Sequence, residues 1–276
     1  MGLEYVALRR SGKPIVEIDD PTAVSNVDAP LGYETRDTLA SLAMGTGMLA
    51  IGLGTAKVLG PLDRAVFARR LAAAGARRGG MAAAIVAWDF SYYWSHRWQH
   101  EHRVLWAAHV NHHSSERYNL STALRQPWTG WITHWVYLPM LVVGFTPTQV
   151  ARAGQINLLY QYWVHTEAID TLPAPIERVM NTASHHRVHH GANQQYLDRN
   201  YAGIFIVWDR LFGSFEPEGE RIRYGLTKNI ETFNPVKIAF HEWMDIFRDL
   251  RASRSWPDRI GATWGPPGGQ PAAISH

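Results

Sequence analysis

The chain has 276 residues, 46% of them hydrophobic and only 18% charged, against roughly 25% charged in ordinary soluble domains. Its mean hydropathy of −0.22 excludes a protein that is membrane span from end to end, and its low charge content excludes a disordered solvating chain. The net charge of +3 and pI near 9.2 bias the surface toward anionic lipid and carry no nucleic-acid signature.

The first 37 residues are polar and interrupted by prolines at 14, 21 and 30. They lack the charged start, apolar middle and cleavage site of a secretory signal, and Val6 stands where a myristoylation motif needs Ser or Thr. Leu39 to Ala56 carries no charge and is rich in Gly, Ala, Leu and Met. It is just long enough to cross a bilayer, although a buried core helix has the same composition. An Arg-rich stretch follows from Arg64 to Arg78. Further apolar segments run from Met81 to Trp94, Trp128 to Phe145 and Ile156 to Val164. The last two fit either a hairpin or helices lying at the membrane surface. Asn234-Pro235 reads as a helix start, and Val236, Phe240, Trp243, Phe247 and Leu250 then recur every three or four residues. The Gly- and Pro-rich tail from 257 reads as coil, and no convincing strand pair occurs.

Cysteine is absent, which removes disulfides, iron–sulfur clusters and thiolate nucleophiles. Histidine is abundant, and 12 of the 14 lie between positions 96 and 190. His96 and His100 are four apart. His109, His112 and His113 repeat the offsets i, i+3, i+4, as do His186, His189 and His190. On a helix such offsets place side chains on one face. A mononuclear site uses three or four protein ligands, so eight clustered imidazoles, with His165 as a ninth, suit two metal ions. His102, His134, His241 and His276 fall outside these groups and read as structural. Imidazole suits zinc, copper, iron or nickel, whereas calcium and magnesium prefer oxygen. Asp89 precedes His96 by seven residues and His100 by eleven, on the same helical stripe. It is a candidate acceptor for the second N–H of a ligand imidazole. A charge facing lipid headgroups is the alternative.

The segments around these histidines resemble the fatty acid hydroxylase/sterol desaturase superfamily. Asp89-Phe-Ser-Tyr-Tyr-Trp-Ser-His96-Arg97 is similar to its first histidine box. Trp106 to Glu116, Tyr118 to Gln126, His165-Thr166-Glu167, Asn181 to Gly191, Asn200 to Gly203 and Trp208 to Gly213 resemble the alkylglycerol monooxygenase branch. The resemblance implies an all-α integral membrane protein with a His-rich di-metal domain at the membrane surface. It implies two irons held by His96, His100, His109, His112, His113, His186, His189 and His190, with dioxygen as co-substrate and a reduced pterin or a reductase as electron donor. It implies a lipid substrate, oxidised next to the ether oxygen of a glycerol ether. Acyl chains, sterol-like rings and aminolipid headgroups are the rival substrates, and a di-zinc hydrolase or a metal carrier the rival classes. Glu101 matches a glutamate needed for activity in that branch; without the resemblance it reads as a surface charge.

This reading divides the chain into a polar segment 1–37, a membrane helix and Arg-rich connector 38–80, a catalytic domain 81–254 and a coil tail 255–276. Multi-pass membrane localisation with the histidines on the cytoplasmic face follows from the need for electrons. The positive-inside rule, applied to residues 64–78, pulls the other way if 81–94 crosses fully.

Overall fold

In the computed structural model, residues 1–10 and 32–268 are described, and every regular element among them is helical. Expectations for 11–31, for the chain beyond 268 and for His276 lie outside these residues. In chain order the helices are α1 (Gly2–Arg10), α2 (Thr35–Ala68), α3 (Gly80–Glu101), α4 (Arg103–Trp106), α5 (Val110–His113), α6 (Leu138–Val142), α7 (Pro147–Val164), α8 (Ala174–Val179), α9 (Ala183–His189), α10 (Val207–Phe212), α11 (Pro235–Ala252) and α12 (Trp256–Trp264).

Four segments form a bundle. α2 is capped by Glu34, whose carboxylate accepts from the amides of Arg36 and Asp37. At 34 residues it extends about 51 Å at ~1.5 Å per residue, more than the ~30 Å of a bilayer core. It is the one helix among the described residues that is both long and apolar enough to cross a membrane. α3 returns antiparallel to α2, the 3₁₀ segment Gly130–Tyr137 and α6 run back, and α7 returns again. The two connectors meet at the end of the bundle remote from the histidines. There Leu71 N–H donates to Val142 C=O (2.8 Å), Ala74 N–H to Val143 C=O and Gly75 N–H to Gly144 C=O. Gly144 has φ +97°, and a Cβ there would lie 2.1 Å from the Ala72 carbonyl oxygen, so the meeting of the two turns requires glycine. Between the helices, Ala84 and Trp88 of α3 pack on Met140, Phe145 and Ala153.

Two expectations are corrected. Residues 2–10 are helical, with the buried Glu4 carboxylate accepting from Leu120 N–H and the Thr166 hydroxyl. Trp128 to Phe145, left open by the sequence, is a 3₁₀ segment followed by a five-residue helix, Pro139 standing in its first turn. Residues 256–264 form α12 instead of coil, because Ser255 and Asp258 close a reciprocal capping box. α11 starts at the expected Asn234 cap, which accepts from the amides of Val236 and Lys237. Its buried side packs Ile238 and Ala239 on Ala40 and Met44 at the start of α2.

Candidate metal centre

The bundle end opposite the connectors carries nine buried histidines in two groups. His96, His100, His109, His113 and His189 form one, which we term site A. His112, His165, His186 and His190 form the other, site B; within each group one nitrogen per ring lies within 4.8 Å of all the others. α3 supplies His96 and His100, α7 ends at His165, and the short helices α5 and α9 bring the remainder. All nine sequence candidates come together. The i, i+3, i+4 triplets do not, however, each serve one site. His112 leaves His109 and His113 for site B, because α5 is a single turn and His109 lies before it with φ −136°. On α9, His186 and the following His190 face site B while His189 faces site A.

Ring geometry fits a pair of metal ions. Nε2 atoms face each other at 2.8 Å (His96–His109), 3.0 Å (His109–His113), 3.1 Å (His112–His165) and 3.0 Å (His165–His186). The Nε2 atoms of His100, His189 and His190 are buried with no hydrogen-bond partner, an arrangement that is costly unless a cation satisfies them. Several opposite nitrogens have acceptors. His96 Nδ1 lies 2.7 Å from the Tyr201 carbonyl oxygen, His112 Nδ1 3.3 Å from that of Arg125, His165 Nδ1 2.6 Å from that of Gln161 and His189 Nδ1 3.0 Å from that of Arg199. Such bonds fix the tautomer that leaves Nε2 free for metal. Burial, and after it neighbouring imidazoles, hold His109, His113, His186 and His190 well below the ordinary imidazole value. Burial lowers His165 to about 4. These lowered rings are therefore neutral at pH 7, the protonation state that metal ligands need.

A pH dependence follows. The unfolded chain takes up protons near pH 6.5, whereas the buried rings do so only at lower pH, down to about 4 for His165. Stability of the metal-free protein is thus complete above about pH 6.5 and is lost as pH falls through the window below it. Its thermal midpoint should drop between pH 7 and pH 5, and a midpoint that rises or stays level over that range would contradict buried neutral imidazoles.

Aromatic side chains close the site. Trp106 lies 4.9 Å from His100 and 5.4 Å from His113 between ring centroids, and Tyr118 lies 5.2 Å from His190. The outlying histidines stay out: His102 sits beside the Trp264 carbonyl, His134 pairs with Asp63 at 2.7 Å, and His241 faces the Ile238 carbonyl of its own helix.

Asp89 does not touch a ligand imidazole. It is fully buried and accepts from Asn157 Nδ2 (2.6 Å), the amides of Ile204 (2.7 Å) and Phe205 (3.0 Å), and Trp208 Nε1 (2.9 Å). The expected acceptor role belongs to backbone carbonyls, and Asp89 instead binds the loop after Tyr201 to α3 and α7. Gly203 sits against this knot, where a Cβ would lie 2.6 Å from Asn157 Oδ1 and 2.7 Å from Asp89 Oδ1. Glu101 ends α3 half-exposed, accepting from Arg97 Nε at 2.8 Å. Sequence reading missed two supporting groups. Arg125, 1% exposed, binds Asp37, Ser41 and Ser114 while its carbonyl serves His112. Asp209 accepts from the amides of Tyr201 (2.7 Å) and Ala202 (2.8 Å), and burial raises it to about 6 against the pull of Ser214 and those amides. Both lie in segments that carried the family resemblance, which is the signal that pointed to them.

Comparison with known proteins agrees with this geometry. Residues 81–214 match the fatty acid hydroxylase family model. Over 189 residues the chain is 47% identical to a human alkylglycerol monooxygenase, covering 67% of this chain and 42% of that protein. An alkylglycerol monooxygenase of Danio rerio is 45% identical over 66% of this chain and 41% of its own length. An ornithine lipid hydroxylase of Rhizobium tropici is 25% identical over 53% of this chain and 45% of its own. The chain spans about two fifths of the length of the alkylglycerol monooxygenases it matches. No solved structure matches it. All nine imidazoles of the two groups fall inside residues 81–214, which form a domain of the fatty acid hydroxylase family.

Proposed function

We propose that this protein is a membrane-bound di-iron monooxygenase that hydroxylates a lipid C–H bond with dioxygen, at the carbon beside the ether oxygen of an alkylglycerol lipid. The observation that carries the reading is the pair of buried groups of five and four imidazoles, with no thiolate or carboxylate in either among the described residues. The similarity to alkylglycerol monooxygenases selects the ether lipid. Bound in these groups, two irons would supply the reduction of dioxygen and the oxidation of an unactivated carbon.

The chain's own residues hold the ligands, orient them and exclude water. His96, His100, His109, His113 and His189 would hold one ion, and His112, His165, His186 and His190 the other. Carbonyls fix ring tautomers, and Trp106, Tyr92 and Tyr118 pack over the rings and keep solvent from quenching the oxidant. Overall, R–CH2–O–R′ takes one oxygen atom from O2, two electrons and two protons, giving R–CH(OH)–O–R′ and water. This hemiacetal then separates into the aldehyde R–CHO and the alcohol R′–OH. A reduced pterin or a reductase is the electron source.

We place α2 across the bilayer, with α3, α6 and α7 beside it as a multi-pass bundle and the histidines on the cytoplasmic side. Exposed Leu49, Leu53, Val58, Leu159 and Trp163 support a lipid-facing surface. The Arg-rich connector then lies on the opposite side, against the positive-inside rule, and the electron requirement outweighs it. A reporter fused after Pro267 should read as cytoplasmic; a periplasmic or lumenal reading would reject this orientation. α11 contributes an interfacial face, where Phe240, Trp243, Met244 and Phe247 form an apolar groove edged by Arg248 and Arg251. Because the chain has no cysteine, Phe247→Cys can carry a single environment-sensitive fluorophore. In lipid nanodiscs its emission should shift to the blue and be quenched by lipid-borne quenchers, and a water-like spectrum would place α11 off the membrane.

The function is tested by metal analysis together with turnover. Iron at about two per chain and oxygen-dependent loss of an alkylglycerol with release of aldehyde are expected. Tightly held zinc with oxygen-independent turnover would replace this reading by a hydrolase.

A further inference from the structure

Residues 198–201 serve three of the five imidazoles of site A. Asp198 Oδ1 lies 3.5 Å from His100 Nδ1. The Arg199 carbonyl oxygen lies 3.0 Å from His189 Nδ1, and that of Tyr201 2.7 Å from His96 Nδ1. To aim one side chain and two carbonyls at the same cluster the backbone adopts positive φ twice, at Asp198 (59°) and Asn200 (55°). Asp and Asn are the non-glycine residues that tolerate this region best. Asn200 is fully buried. It locks the bend by donating to the His185 and Glu216 carbonyls and accepting from Glu216 N–H.

Site B draws on other parts of the fold. His112 and His165 use the carbonyls of Arg125 and Gln161. The 198–201 loop thus supplies ring acceptors to site A, while those of His112 and His165 lie elsewhere.

A continuous hydrogen-bonded chain leads from this loop to the surface. Tyr201 N–H donates to Asp209 Oδ1 (2.7 Å), which also accepts from the Ser214 hydroxyl (2.7 Å). The Ser214 oxygen lies 2.8 Å from the Tyr93 hydroxyl. The Tyr93 oxygen accepts from Arg97 Nη1 (3.1 Å), and Arg97 Nε donates to Glu101 Oε1 (2.8 Å). Tyr93 and Asp209 are fully buried. Every link has a donor facing an acceptor when Tyr93 donates to Ser214 and Ser214 to Asp209. Arg97 does not give up its proton, and a backbone amide does not relay one. The chain therefore orients groups and does not conduct protons.

We propose that the 198–201 loop, pinned by Asp209, Ser214, Tyr93, Arg97 and Glu101, is a dedicated positioning shell for the metal ion of site A. This rests on the two-ion reading above. It gives Glu101 a role through His96 without contact to the reacting atoms, and it gives the two ions separate supports. The two ions can then differ in lability within one buried cluster.

The test uses the full chain in detergent, loaded with Co2+ alone as the probe, with visible absorption followed during chelation. In Ser214→Ala and Tyr93→Phe, half of the cobalt should leave up to about 10-fold faster than in the unaltered chain, the low end of what loss of a direct partner of a ligating imidazole brings. The other half should keep its rate. Ser214→Thr, which keeps the hydroxyl, should restore the slow release. Glu101→Gln should accelerate the same half by a smaller factor. Acceleration of all the cobalt, which general loosening of the fold would give, overturns the proposal, as does acceleration of none. The assay reads metal and not turnover. A wrong substrate or a metal other than iron leaves its outcome intact, whereas failure of the two-ion reading shows as about one cobalt or fewer bound per unaltered chain.

Discussion

His189→Ala and His112→Ala should each abolish turnover and each remove about one of the two metal ions, because each takes one imidazole from a different group. Site B, with four imidazoles, has no ring to spare and should lose its ion when His112 is replaced. Site A keeps four rings in His189→Ala, but it also loses the bond from His189 Nδ1 to the 198–201 loop. Its ion should bind far more weakly, and turnover, which needs both, should fall to background. His241→Ala is the control: that ring faces the Ile238 carbonyl of its own helix and belongs to neither group. Metal content by mass spectrometry and product formation, measured on the same preparations, decide the matter. Normal metal content and turnover in His189→Ala would remove that residue from the site.

The second large effect is on stability. Arg125 and Asp37 form a buried pair with side chains 1% and 6% exposed, tying the segment after site B's His112 to the first turn of α2. Arg125→Met leaves the buried Asp37 carboxylate without the guanidinium bonded to it, and breaking such a pair from one side costs about 3–5 kcal/mol. The thermal midpoint should fall by many degrees. Asp37→Leu combined with Arg125→Met removes both charges and should recover most of the loss, since apolar replacement of a whole buried pair is often neutral. If the double variant is as unstable as the single one, the loss comes from the bonds of Arg125 to Ser41 and Ser114, not from an unpaired charge.

Residue identity alone determined much of this protein. Eight imidazoles at helical offsets, with His165 as a ninth, in a chain without cysteine point to nitrogen-ligated metal binding, because few other arrangements employ that many. The Asn234-Pro235 start and the apolar recurrence after it define α11, because capping and periodicity are local properties. The uncharged run from Leu39 gave α2, whose ends extend beyond it into charged residues. α12 was legible too, through Ser255 and Asp258, although the Gly- and Pro-rich text behind it masked the signal. Only the tertiary structure decided which imidazole joins which group. A single turn such as α5 has no lasting helical face, so the split between His112 and its neighbours depends on what packs around it. Nor could the sequence show what holds the rings. The acceptors of His96 and His189 are backbone carbonyls of Tyr201 and Arg199, and every residue owns a carbonyl, so its use leaves no mark on residue type. Asp89 shares the helical stripe of His96 and His100, as the spacing required. Yet a loop more than a hundred residues later in the chain supplies the amides that occupy its carboxylate. Spacing fixes which side of a helix a group faces, whereas long-range packing fixes what it meets there.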